Sequence, residues 1–158
     1  MRATMKRILF LMAILPFVGC AQDMTRPVDM PKLVSCTVTI LSEGKPLPDA
    51  QVTFHSDDPT FKWAPGNVTD SAGKAQMVTY GRFFGVVEGE YAVTVSKLER
   101  ETFDPANPPR QVKVYTLTDA EYTDPKTTPL NITVRGKTNE TFDVGALGNT
   151  LLRMEDAN

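Results

Sequence analysis

This sequence predicts an all-β fold, an antiparallel two-sheet sandwich of six or seven short strands, and three observations predict it. From Lys32 onward apolar residues recur at every second position, the period of a strand with one buried face. Turn residues punctuate these runs at short intervals, and no segment shows the 3.6-residue period of an amphipathic helix. Twelve prolines beside ten glycines in 158 residues fit the same reading, because proline interrupts helices and suits turns and strand ends.

Each strand follows from its own alternation. Leu33 to Ile40 places Val34, Cys36, Val38 and Ile40 on one face, and Ala50 to Phe54 does the same for Ala50, Val52 and Phe54. Ala75 to Tyr80 reads as a third strand, and Glu90 to Val95 as a fourth with Tyr91, Val93 and Val95 facing inward. Leu130 to Val134 and Thr141 to Val144 complete the clearest set, and Gln111 to Thr116 adds one whose Val112 and Val114 share a face. Reversals fall at Glu43-Gly44-Lys45-Pro46, Gly89 and Gly136. Asp70-Ser71-Ala72-Gly73-Lys74 suits a type I turn with Gly73 left-handed, joining a short strand at Val68 to the one from Ala75. Residues 146–158 read as a last edge element or a tail.

Composition sets outer limits. The length suits one domain plus a targeting segment. Formal charge is -2, but Arg2, Lys6 and Arg7 lie in the amino-terminal segment, so the remainder carries 17 − 3 = 14 cations against 19 acids, a balance of -5. That balance gives no basis for a nucleic-acid footprint, which would require a basic surface.

The first twenty residues divide into a cationic start, an apolar run from Ile8 to Val18 broken only by Pro16, and Phe17-Val18-Gly19-Cys20. As a helix the run would reach only ~16 Å at ~1.5 Å per residue, short of a ~30 Å hydrocarbon core. It therefore reads as a signal segment rather than a permanent span. The four residues ending at Cys20 resemble the bacterial lipobox, with Phe17 in place of the commonest leucine. The resemblance implies a signal peptide over 1–19 and Cys20 as the first mature residue, with acyl chains on its sulfur and amine anchoring it in a membrane. Ala21, rather than aspartate, then favours the outer membrane. Residues 20–31, with two prolines and no periodicity, read as a flexible tether to a domain over 32–145.

If Cys20 is acylated, Cys36 has no partner, and its place in an alternating run makes it a buried thiol acting as a small hydrophobe.

A second resemblance covers most of residues 32–145. Ser35-Cys36-Thr37-Val38-Thr39, the run Gly44-Lys45-Pro46-Leu47-Pro48-Asp49-Ala50-Gln51-Val52-Thr53-Phe54, Thr69 to Lys74, Gly89 to Val95 and Tyr122 to Leu130 together resemble the carboxypeptidase regulatory-like domain family. The match resembles in particular the small bacterial lipoproteins carrying this domain. The resemblance implies a transthyretin-like (prealbumin-like) Greek-key sandwich of about seven strands, and Cys36 stands where the family usually has glycine. It says little about activity, because function resides in sites grafted onto folds.

Catalytic constellations are hard to assemble from these residues. Zinc peptidase chemistry needs two histidines and a glutamate, and the chain has one histidine, His55. A Ser-His-Asp arrangement could draw only on His55-Ser56-Asp57-Asp58, where close neighbours at a strand end rarely reach triad geometry. Asp57, Asp58 and Asp70, or Asp119, Glu121 and Asp124, offer oxygens for calcium but read as solvated turn acids, with no EF-hand spacing. No metal or other cofactor is expected, and no enzyme activity.

The aromatic loops are the remaining candidates. Phe61 and Trp63 lie in one, Phe83 and Phe84 between glycines in another. Exposed together, these four rings would form a platform for a sugar ring or a partner's side chain; buried, they would cap the open ends of the sandwich. The polar, proline-rich stretch Glu99 to Arg110 is a second candidate contact loop. The sequence thus predicts a non-enzymatic, lipid-anchored envelope protein. Its sandwich would serve as a structural or binding module facing the periplasm or the exterior, towards an envelope protein or polysaccharide.

Overall fold

A computed structural model describes residues 26–103, 106–107 and 109–156. The signal segment, Cys20 and the start of the expected tether lie outside the described residues. Among the described residues, fifteen strands and one helical turn follow in order. They begin with β1 (Leu33–Val34), β2 (Cys36–Ser42), β3 (Lys45–Pro46), β4 (Gln51–His55) and β5 (Pro65–Val68). Next come β6 (Lys74–Gln76), β7 (Val78–Thr79), β8 (Phe83–Phe84), β9 (Val86–Val87) and β10 (Gly89–Ser96). The last are β11 (Leu98–Arg100), β12 (Gln111–Thr116), α1 (Ala120–Thr123), β13 (Asn131–Val134), β14 (Thr138–Asp143) and β15 (Thr150–Asp156).

The protein is an all-β sandwich. One sheet has the order β13-β10-β4-β5-β7-β8; the facing sheet has β2 at its centre, with β14 on one side and β3 and β6 on the other. Their inner faces share one core. Cys36, Val38 and Ile40 of β2 meet Val52 and Phe54 of β4 and Tyr91, Val93 and Val95 of β10, closed by Ile132, Val134 and Val144. The alternation read from the sequence is the cause, since every second residue of these strands points between the sheets. Each fully buried valine, isoleucine or phenylalanine contributes about 1.5–3 kcal/mol of transfer free energy.

Several expectations need correcting. The run 75–80 is not one strand. β6 pairs with β2 while β7 pairs with β5, so the chain changes sheets at Met77. There the Met77 amide donates to the Cys36 carbonyl at 2.9 Å, and its carbonyl accepts from Gly85 at 3.0 Å. The turn at 70–74 forms as read, with Gly73 at φ 71°, but the strands it joins belong to different sheets. Gly73 is required there twice over, because a Cβ would also lie 2.5 Å from the Ile40 carbonyl oxygen.

Not every pairing is antiparallel. β14 runs parallel to β2, with Thr138 opposite Cys36 and Asp143 opposite Leu41. Its end is tied down by the Asp143 carboxylate, which accepts from the Glu43, Gly44 and Gly145 amides at 3.0, 2.7 and 2.8 Å. Glu43 and Gly44, both at positive φ, make the two-residue turn between β2 and β3, and Asp143 holds that turn against β14. Backbone donors on the ionised carboxyl keep the Asp143 pKa below its ordinary 3.8.

Residues 150–156 form an edge strand in a third sheet, β11-β12-β15. The amino-terminal boundary moves as well. Arg26 to Pro31 is not free tether, because Met30 is buried and its amide donates to the Pro27 carbonyl at 3.0 Å. Asp29 forms an ion pair with Lys62. The core cluster itself draws on residues from Cys36 to Val144, and the segments on either side pack against the sandwich outside it.

Candidate contact surface

The edge of the six-stranded sheet ends in a hairpin. β7 and β8 pair Val78 with Phe84 and Thr79 with Phe83, leaving Tyr80, Gly81 and Arg82 as the loop. Gly81 is left-handed at φ 65°, an ordinary turn conformation for glycine. Tyr80 is left-handed too, at φ 55°, which costs a bulky residue about 1–3 kcal/mol. Ring packing offsets part of that cost, for Tyr80 lies over Trp63 with centroids 5.4 Å apart and planes tilted 56°.

Trp63 is only 6% exposed, while Tyr80 remains 45% exposed above it. On Trp63 also rests the Lys62 ammonium, 5.0 Å from the ring centroid. Paired with Asp29, Lys62 is held above its usual pKa, chiefly by that hydrogen bond, and Asp29 below its own.

The strand pleat separates the two phenylalanines. Phe83 faces the side of Thr79 and is half-buried, with the Arg82 guanidinium 6.0 Å from its ring. Phe84 projects from the outer face and is 71% exposed. It ends a cross-sheet row of directly paired residues, Thr94, Thr53, Gly66, Val78 and Phe84. Beside that row lies a shallow groove of about 360 Å³, lined by Gln51, Thr53, Pro65, Gly66, Val68 and Val78 among others. Gly66 leaves its floor open; a Cβ there would come 3.2 Å from the Val52 carbonyl oxygen.

The four sequence-predicted rings therefore do not form one platform. Phe61 packs edge-on to Tyr91 at 5.6 Å against the core, and Trp63 is a buried support. Phe83 and Phe84 stay at the surface edge, on opposite faces. Tyr80 joins them; the sequence places it at the end of a strand over 75–80, and nothing about a tyrosine announces a left-handed backbone.

Of the remaining polar candidates, His55, Asp58, Asp70, Asp119 and Asp124 are engaged in local structure. His55 Nε2 lies 2.8 Å from the Thr94 hydroxyl, and burial lowers its pKa. The Asp58 carboxylate accepts from the Thr60 amide and hydroxyl, Asp70 from the Ala72 and Lys74 amides, Asp119 from Glu121, and Asp124 from Lys126. Each acid closes its own turn. Among the described residues, no three histidine, cysteine or acidic side chains come together as metal ligands. Cys36 is a free, fully buried thiol whose pKa is pushed up to about 11, first by burial and then by the charge of Glu140. A thiol so protonated is a poor nucleophile.

No protein-family model matches the chain, and no curated protein does. Among solved structures it is similar to the 9R-lipoxygenase from Cyanothece, with a TM-score of 0.37 and 20% identity. That match covers 76% of this chain and 18% of the lipoxygenase chain, so this chain spans under a fifth of its length. The likeness is too slight to bear on activity. No helix among the described residues is long and apolar enough to cross a membrane.

Proposed function

We propose that the chain is a non-enzymatic, lipid-anchored protein of the cell envelope whose β-sandwich serves as a binding module. Lipid on Cys20 sets its place at an extracytoplasmic membrane surface, the outer membrane by the Ala21 rule, and the 80–84 hairpin makes its contacts. The carboxypeptidase regulatory-like assignment, with its Greek-key sandwich, belongs to the same proposal and rests on the sequence motifs quoted above.

The observation that carries the binding role is Tyr80. A half-exposed tyrosine is kept in a costly backbone conformation, braced from below by Trp63, on the same hairpin as an exposed phenylalanine. Such an arrangement is rigid before contact, which lowers the entropy lost on binding. Two measurements test the reading. Residues 26–158, used as bait in envelope extract, should capture a partner that a Tyr80→Gly, Phe84→Ala version loses while keeping its thermal midpoint within a few degrees. Equal capture by both would remove the hairpin from the proposal. In cells, Cys20→Ala should move the protein out of the membrane fraction, and full retention there would end the anchor reading.

A second reading makes the ligand a glycan. The open floor at Gly66 favours it, since a sugar ring could lie beside Phe84 with its hydroxyls towards Gln51 and Thr53. Titration with soluble N-acetylglucosamine oligosaccharides, followed by Trp63 emission, should saturate and be abolished by Phe84→Ala. A flat response to these sugars and to an envelope polysaccharide fraction would leave a protein partner as the ligand.

A further inference from the structure

The third sheet ends in a strand with one free side. β15 pairs with β12 alone among the described residues, so the far edge of its seven residues offers unpaired amides and carbonyls. Leu151, Leu152 and Met154 on that strand are 52%, 49% and 48% exposed. Proteins commonly blunt such an edge with charges and bulges, and this strand has both: a register shift that leaves Leu152 unpaired, followed by Arg153, Glu155 and Asp156. Its charges, however, are ordered so that the strand complements its own reverse.

We propose that β15 is a self-association edge, where two copies pair antiparallel about a two-fold axis through Met154. In that register Arg153 faces Glu155 of the second copy, and Glu155 faces Arg153 of the second copy, giving two cross-strand opposite-charge pairs. On the other face Met154 meets its own counterpart, with each Leu152 diagonal to the other copy's Met154 and opposite its Asp156, so the apolar contact is a small patch at the axis flanked by acids. Neighbouring registers are worse. Centring on Arg153 sets that arginine against itself, and centring on Leu152 places it opposite Leu151.

Charge within one copy points the same way. Arg100 and Arg153 both pair with the single carboxylate of Glu155, so the cluster carries an excess positive charge that a second glutamate would offset. The contact is a strand edge with small buried area, so it associates weakly in dilute solution. Confinement to one surface would raise the effective concentration and favour the pair. The edge itself does not depend on the lipid anchor or on the 80–84 hairpin.

The test uses residues 26–158, in which Cys36 is the only cysteine and is buried. Directly opposed Cα atoms in an antiparallel pair lie ~4.5–5.5 Å apart, within disulfide reach. Met154→Cys should therefore give a covalent dimer under mild oxidation, while Lys113→Cys on β12 stays monomeric. Sedimentation equilibrium should show concentration-dependent dimers, weakened about tenfold by Arg153→Glu and recovered when Glu155→Arg and Arg100→Glu reverse the rest of the cluster with it. A monomer at every concentration, with no Met154→Cys crosslink, overturns the proposal. Dimers indifferent to Arg153→Glu overturn it equally, because another surface would then hold the copies together.

Discussion

β2 and β15 are both seven residues long and both rich in apolar side chains, yet they meet opposite fates. In β2, Cys36, Val38 and Ile40 are fully buried between two sheets, whereas in β15 Leu151, Leu152 and Met154 are each about half exposed. Composition separates them only in part, for β2 has no charged residue while β15 carries Arg153, Glu155 and Asp156. The difference lies in what covers each strand: β2 sits at the centre of a sheet with a second sheet facing it, and β15 sits at the edge of a three-stranded sheet. Alternation tells which face of a strand is apolar, but how deeply that face is buried depends on the layer opposite.

The contrast can be broken most severely at Phe54, fully buried and in ring contact with Tyr91 at 5.6 Å. Phe54→Ala should cost about 3–5 kcal/mol in urea unfolding, leaving little folded protein. Gly73→Ala comes next, since it forces a left-handed alanine whose Cβ meets the Ile40 carbonyl. A loss of about 1–3 kcal/mol is expected from the backbone conformation alone, read from the same unfolding curves.

Asp143 gives a smaller, pH-dependent effect. Its folded pKa lies below the ordinary 3.8, so its stabilisation is present above that value and disappears as pH falls through the lower folded value. Asp143→Asn should flatten the acid limb of stability against pH below about 4; an unchanged limb would mean the carboxylate does not clamp the turn. At the other extreme, Leu151→Ala on the exposed edge should shift stability by no more than about 0.5 kcal/mol. A loss near that of Phe54→Ala would show that the two regions are not different after all.

The same contrast explains what could be read in advance. Strands at 36–42, 51–55, 89–96, 111–116 and 131–134 show in the alternation because one of their faces meets the core or a neighbouring layer. The split of 75–80 was hidden because Met77 is apolar in either sheet, and only its two hydrogen bonds reveal that it bridges them. The parallel partnership of β14 was equally hidden, since a strand's period does not state its direction. At the contact surface, the sequence shows Phe83 and Phe84 between glycines but not the hairpin that turns at 80–82, and exposure was not legible for any ring. Phe61 and Trp63 lie in a loop full of polar and turn residues and nevertheless fold inward, while Phe84 is turned out by the pleat.

The parallel pairing of β14 with β2 also joins segments far apart in the chain. Ser42 Oγ donates to the Gly145 carbonyl at 2.7 Å, a contact spanning 103 residues. A chain emerging amino-terminus first would expose one side of its central strand until residue 143 had followed. Closing so long a loop is slow. That open side is then the place where a chaperone, or another nascent copy, would find the unfinished protein.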